Sequence, residues 1–237
     1  MNVDPKTISD TRNQLHWASQ LLSAAADAKL DKADDDSHSN LGWDAAKNSL
    51  VGRAGCSIEV NEFKLLHADD SFPLTGQTLA AAKDWLAGSL GCDLAFRDYE
   101  MPEHAVSKDS SFSPDRAHLE SISEWFSFAE KSLDGHGTLR IWPHHFDMGF
   151  WVPGDADGRS IGGGFSLGDH YYDRPYFYIN PYGVERPDSL AALPAGHWTE
   201  HWFGAVLAAE EMGAESRSEA AKSYIAAALD ACKKLIS

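Results

Sequence analysis

The chain of 237 residues is 43% hydrophobic and 24% charged, ordinary values that allow a buried core and exclude a fibrous or wholly disordered chain. Its 20 Lys and Arg stand against 36 Asp and Glu, a net charge of -16 that divides evenly into -8 on each side of His118. Such a field repels a phosphate backbone, and without a basic cluster to release counterions a nucleic-acid partner is not expected.

The first residues, Met1 to Lys6, are polar and lack the apolar core of a signal peptide. No run reaches the ~18 apolar residues of a membrane span, so neither membrane insertion nor export is expected. Cys56, Cys92 and Cys232 are odd in number, widely spaced and without a C-x-x-C pair. They read as reduced thiols in a cytoplasmic protein rather than a disulfide framework.

In chain order, Leu15, Ala18, Leu22 and Ala25 recur at helical spacing, which predicts an amphipathic helix over about 7–30. Asp31 to Asn40, DKADDDSHSN, is too polar to pack and is expected to be a solvated, mobile acidic loop. Val51, Ile58, Val60 and Phe63 predict two strands or one long bent one, followed by a turn at Asp69-Asp70-Ser71 and Pro73. A helix with Leu79, Ala82, Trp85 and Leu86 on one side ends near Gly88 or Gly91, and a strand is expected at 93–97. Ser113-Pro114 reads as the start of a helix that buries Leu119, Ile122, Trp125, Phe126 and Leu133. Strands are expected at TLRIWPHHFDMGFWV, RSIGGGFSL and PYFYIN, the first two joined through PGDADG as a hairpin. Helical spacing returns over 198–212 and again from Ala221 to Ile236. Helices and strands come in runs, so the fold class is α+β, with a mostly antiparallel central sheet flanked by helices from both chain ends in a single domain, 1–237.

Residues 140–202 hold 13 of the 26 aromatics and 9 of the 19 glycines, and no lysine. This is the composition of a pocket or contact surface, and equally of a sheet core with glycine turns. Leu15-His16 with Gln20, Phe112 with Asp115-Arg116 and His118, Trp142 with Phe146-Asp147, Gly164-Phe165 with Gly168-Asp169, and Pro175 with Phe177-Tyr178 come in an order that resembles a bacterial protein family of unknown function. The W-x-x-F-D segment is the most specific part. The resemblance implies an α+β fold and an intracellular setting, and no activity.

Three groups of residues carry possible chemistry. His197, Glu200 and His201 match H-x-x-E-H, in which two histidines one helical turn apart hold a divalent metal and the glutamate activates its water; the competing reading is a pair of surface histidines beside Trp198 and Trp202. If 140–152 is one strand, His145 and Asp147 share a face, where the carboxylate would orient the imidazole for acid/base work, and His144 points the other way among Trp142, Phe146 and Met148. Asp169 and His170 follow the second strand of the same hairpin, beside Arg174, Tyr176 and Tyr178. Gly162-Gly163-Gly164 lacks a phosphate-loop setting, and Asp155-Ala156-Asp157-Gly158 lacks the final glutamate of a calcium loop.

Two functions follow. One is a module that binds a small molecule or a protein in an aromatic and histidine-lined concavity, with Trp142, Asp169, His170, Arg174, Tyr176 and Tyr178 as its lining. The other is a hydrolytic or acid/base enzyme that uses His145 and Asp147, or a metal held by His197, Glu200 and His201.

Overall fold

The computed structural model describes residues 4–99, 101, 102, 104, 106–154, 158–213 and 216–237. The expected turn at Asp155-Ala156-Asp157 lies outside them. The class is α+β, with helices and two antiparallel sheets, and helices stand at both chain ends. No helix among the described residues is long and apolar enough to cross a membrane. The chain divides into two compact units, Met1–Ser127 with Arg140–Phe146, and Phe128–Leu139 with Asp147–Ser237.

The first unit is organised around α1 (Ser9–Lys29), whose expected stripe of Leu15, Ala18, Leu22 and Ala25 is fully buried. Burial extends well beyond that stripe to Thr11, Gln14, His16, Gln20 and Ser23. Polar side chains are tolerated there because they are hydrogen-bonded: the Thr11 hydroxyl accepts from the Asp115 N–H, and the Gln14 carbonyl from the Ser113 N–H. Five short strands follow as a meander paired in chain order: β1 (Gly42–Asp44), β2 (Ser49–Val51), β3 (Cys56–Glu59), β4 (Lys64–His67) and β5 (Asp70–Pro73). The expectation of one or two strands is thereby corrected. Tight turns with Asn48, Phe63 and Ala68 at positive φ fold the segment more often than its apolar pattern shows. Asp70 to Pro73, expected as a turn, is the edge strand, where a proline and exposed charge are compatible with pairing on one side only.

The helix α2 (Leu79–Leu90) is capped by the Thr78 hydroxyl and ends at Gly91, the second of the two glycines expected to end it, in the left-handed region. No ladder forms at 93–97. The helix α3 (Arg116–Leu133) begins two residues later than expected, because the Asp115 carboxylate accepts from the His118 N–H and takes the capping position. A short strand, β6 (Arg140–Trp142), exchanges two hydrogen bonds between Ile141 and Leu41. Residues 31–35 are mainly solvated as expected, whereas the loop ends in a single 3-10 turn, and His38, Ser39 and Asn40 are buried.

In the second unit, β7 (Asp147–Pro153), β8 (Ser160–Ser166), β9 (Tyr176–Tyr182), β10 (His197–Trp198) and β11 (Ala205–Ala208) form an antiparallel sheet in the order β10-β11-β9-β8-β7. Met148, Phe150, Ile161, Phe165, Phe177, Ile179 and Leu207 are buried on one face. Against this face packs α4 (Arg217–Ile236), with Ala221, Tyr224, Ile225, Ala228 and Cys232 on its buried side. The end of α3 contributes Phe128, edge-on to Phe177 at 5.7 Å.

Two sequence expectations change here. The single strand over 138–152 is broken by a turn at 143–146, with Phe146 at φ 58°. The helix expected over 198–212 is β10, β11 and a 3-10 turn, because Ala205 to Ala208, buried at all four positions, is an apolar run whose periodicity suits strand and helix alike.

Candidate functional site

In the first unit the chemistry gathers around the turn 143–146. The buried carbonyl of Pro143 accepts from His16 Nε2 at 2.8 Å and from Gln20 Nε2 at 2.6 Å. A carbonyl only accepts, so His16 carries its proton on Nε2, and its Nδ1 is left to accept from His104 Nε2 at 2.9 Å. Burial first, and then repulsion by His104, lowers the His16 pKa from 6.5 to about 3, so it is neutral at pH 7. Its ring also stacks on Phe146, with centroids 4.9 Å apart and planes 11° apart. The left-handed backbone of Phe146 costs about 1–2 kcal/mol, so the turn persists because the surrounding contacts over-determine it.

The turn presents two histidines. His145 is exposed and His144 half-buried, their centroids 4.3 Å apart, and His144 stacks on Tyr99 at 5.5 Å and 28°. Among the described residues neither imidazole has a hydrogen-bond partner. Burial and the His145 charge lower the His144 pKa from 6.5 to about 4, which leaves a neutral ring with an uncommitted lone pair. Trp142 stands edge-on to His144, 6.2 Å away.

Tyr99 also lines an open depression of about 550 Å³, together with Asp27, Lys32, His38, Arg97 and Asp98. One wall is an ionic lattice. Arg97 donates through Nε and Nη2 to the two oxygens of Asp27, and through Nη1 to Asp36 at 2.9 Å. His38 Nδ1 accepts from the Ala33 N–H, so its proton lies on Nε2 and is donated to Asp27 at 2.9 Å. Both nitrogens of His38 are thus committed, and its role is to hold the acidic loop in place. Arg140 adds a contact to Asp35, whose carboxyl is lowered to about 2, first by the Ser37 hydroxyl and N–H and then by Arg140.

In the second unit the outer face of the sheet carries the remaining candidates. Tyr178 donates to the Asp147 carboxylate, and Tyr176 to Asp169 at 2.6 Å. Burial first, and then the paired carboxylate, raises both phenols well above 10, so these tyrosines are fixed donors rather than acids or bases. Asp169 also accepts from the Tyr171 and Tyr172 N–H groups, at 2.8 and 3.1 Å, and shapes the loop after β8. His170 is exposed against Tyr171, and Arg174 lies 3.8 Å from Asp173.

His197, Glu200 and His201 do not share a helical face. His197, on β10, lies between the Tyr172 hydroxyl at 3.1 Å and Glu211 at 3.2 Å. Glu200 pairs with Arg186, and His201 packs against Tyr171. Among the described residues no group of three His, Cys, Asp or Glu could hold a metal ion. The helical spacing that would have brought these three together is not formed.

Sequence reasoning did not single out Tyr99, Arg97, Asp27 or His104, and it noted His16 and Gln20 only as part of a resemblance. His16 reaches its partner 127 residues away, a separation at which no periodic pattern is left to read. Compared with protein-family models, with curated proteins and with solved structures, the chain matches none.

Proposed function

We propose that this protein is a small-molecule-binding module whose ligand occupies the depression at Tyr99 and is met by His144 and His145. The observation that supports this most is the pair of imidazoles that have no hydrogen-bond partner among the described residues, on a strained turn pinned by His16 and Gln20. A strained backbone held by buried polar contacts is characteristic of sites whose side chains must be preorganised. The lining pairs cations with carboxylates and adds one aromatic face, which suits a small polar ligand carrying a planar or apolar portion.

The second reading, acid/base or hydrolytic catalysis at the same turn, is favoured by one feature. His144 is neutral at pH 7 and, among the described residues, its lone pair has no hydrogen-bond partner, so it can accept a hydrogen bond from the acidic group of a bound molecule, as a weak base whose pKa is lowered to about 4.

The test is a screen of small polar metabolites by heteronuclear NMR. Binders are expected to shift the signals of Tyr99, His144 and His145 together, and His144→Ala should weaken them at least tenfold. Binders that leave those three signals unmoved would place the ligand elsewhere and reject this reading. Turnover of a binder, lost in His144→Ala, would select the enzyme.

A further inference from the structure

The outer face of the second unit's sheet carries a feature that the turn site does not use. Along β7, β8 and β9 the residues opposite the buried set include Trp151, Gly162, Gly164, Tyr178, Asn180 and Tyr182. Trp151 is 59% exposed and Tyr182 49%. Gly162 is paired with Trp151 on one side and with Asn180 on the other. The Tyr182 ring lies over Gly162, its Cε2 only 2.7 Å from where a Cβ would stand. The missing side chain is therefore what lets the tyrosine lie over β8, at the position that pairs with Trp151 on β7. At Gly164 the Tyr178 ring does the same, 2.8 Å from the Cβ position at its Cζ. Asn180 is oriented by accepting from Trp202 Nε1 at 2.8 Å, which turns its amide nitrogen toward the Tyr182 hydroxyl at 3.5 Å.

We infer that this face binds a neutral saccharide, whose ring C–H surface stacks on Trp151 and Tyr182 and whose hydroxyls meet Asn180 and the Tyr182 phenol. Charge and size select this ligand class. The three strands contain no Lys or Arg, and the chain carries -16, so an anionic sugar or a nucleotide would find no counter-charge. An aromatic side chain offers about 150–250 Å² in all, so two half-exposed rings supply roughly 200 Å². A stable protein interface takes roughly 800 Å² per partner. A flat ring with an apolar face and a polar rim fits that small area, and the amide and phenol stand at its edge.

The probes are cellohexaose and chitohexaose, with an oligogalacturonate as the charged comparator, read by NMR on the Trp151 indole. One neutral hexasaccharide is expected to bind with a Kd of about 1 mM or tighter, and Trp151→Ala should weaken it at least tenfold. Gly162→Ala should weaken it several-fold with little change in thermal stability, since the atom displaced is the far end of a side chain. Tyr99, His144 and His145 should not respond, which separates this site from the turn site. Failure of both neutral sugars to bind at about 10 mM overturns the inference, as does binding unchanged in Trp151→Ala. Equal binding of the oligogalacturonate overturns the charge argument. Self-association of the free protein that is lost in Trp151→Ala would assign the face to a second copy and refute the saccharide.

Discussion

The turn at 143–146 and the outer face of β7 to β9 are built by opposite means. The turn, strained at Phe146, is held by polar contacts from distant parts of the chain: His16 and Gln20 on one carbonyl, and His104 behind His16. The sheet face is held by register, with small residues on β8 making room for rings from β9. A polar scaffold of this kind is sensitive to the loss of any one donor, because the partner left behind is buried and unsatisfied. A sheet face tolerates change at its rings and resists change at its backbone.

The largest effect is expected from His16→Ala, which removes the stack on Phe146, one donor to Pro143 and the acceptor of the His104 Nε2–H. A loss of about 3 kcal/mol should appear in urea unfolding. A loss below about 1 kcal/mol would mean that the turn stands without its polar support. The same residue sets a pH dependence. Its folded pKa of about 3 lies below the ordinary 6.5, so the unfolded chain takes up the proton first. Its contribution is complete above about pH 6.5 and is lost progressively as pH falls toward 3, with His144 acting in the same direction down to about 4. Unfolding measured from pH 7 to 4 should show a shallower slope in the His16 variant than in the parent.

Next in size is Gly164→Ala. Its Cβ would press on the Met148 carbonyl, a backbone atom that cannot swing aside, and about 2 kcal/mol should be lost. Gly162→Ala meets only the edge of the Tyr182 ring and should cost less than about 1 kcal/mol. Equal costs would show that the two glycines serve chain flexibility rather than close approach. Tyr178→Phe takes the phenolic donor from Asp147 and should cost about 1–2 kcal/mol in urea unfolding. The smallest effect is expected at the displayed histidine. His145→Ala should change stability by no more than about 0.5 kcal/mol, since the ring is exposed and among the described residues has no hydrogen-bond partner.

Local pattern alone determined α1, α2 and α4, the end of α2 within the span of Gly88 and Gly91, a strand over PYFYIN and the α+β class. In each, apolar spacing or a single turn residue reports directly on burial or on allowed backbone angles. The residues of the proposed site were legible only in part: Trp142 and His145 stood out, His144 was expected to pack among Trp142, Phe146 and Met148 and instead stacks half-buried on Tyr99, and Tyr99, Arg97 and Asp27 did not stand out. Tertiary structure decided the rest. Pro143 to Phe146 turns instead of continuing a strand because His16 and Gln20, more than 120 residues earlier, capture a carbonyl there. Ala205 to Ala208 became a strand because β9 offers it a ladder. The acidic loop packs at its end because Arg97 and Asp27 hold Asp36 and His38. A hydrophobic period reveals which side of an element is buried, and a buried polar contact leaves no period at all. Its partner is chosen by the folded chain, and only there do the donor and the acceptor lose the water that would otherwise satisfy both.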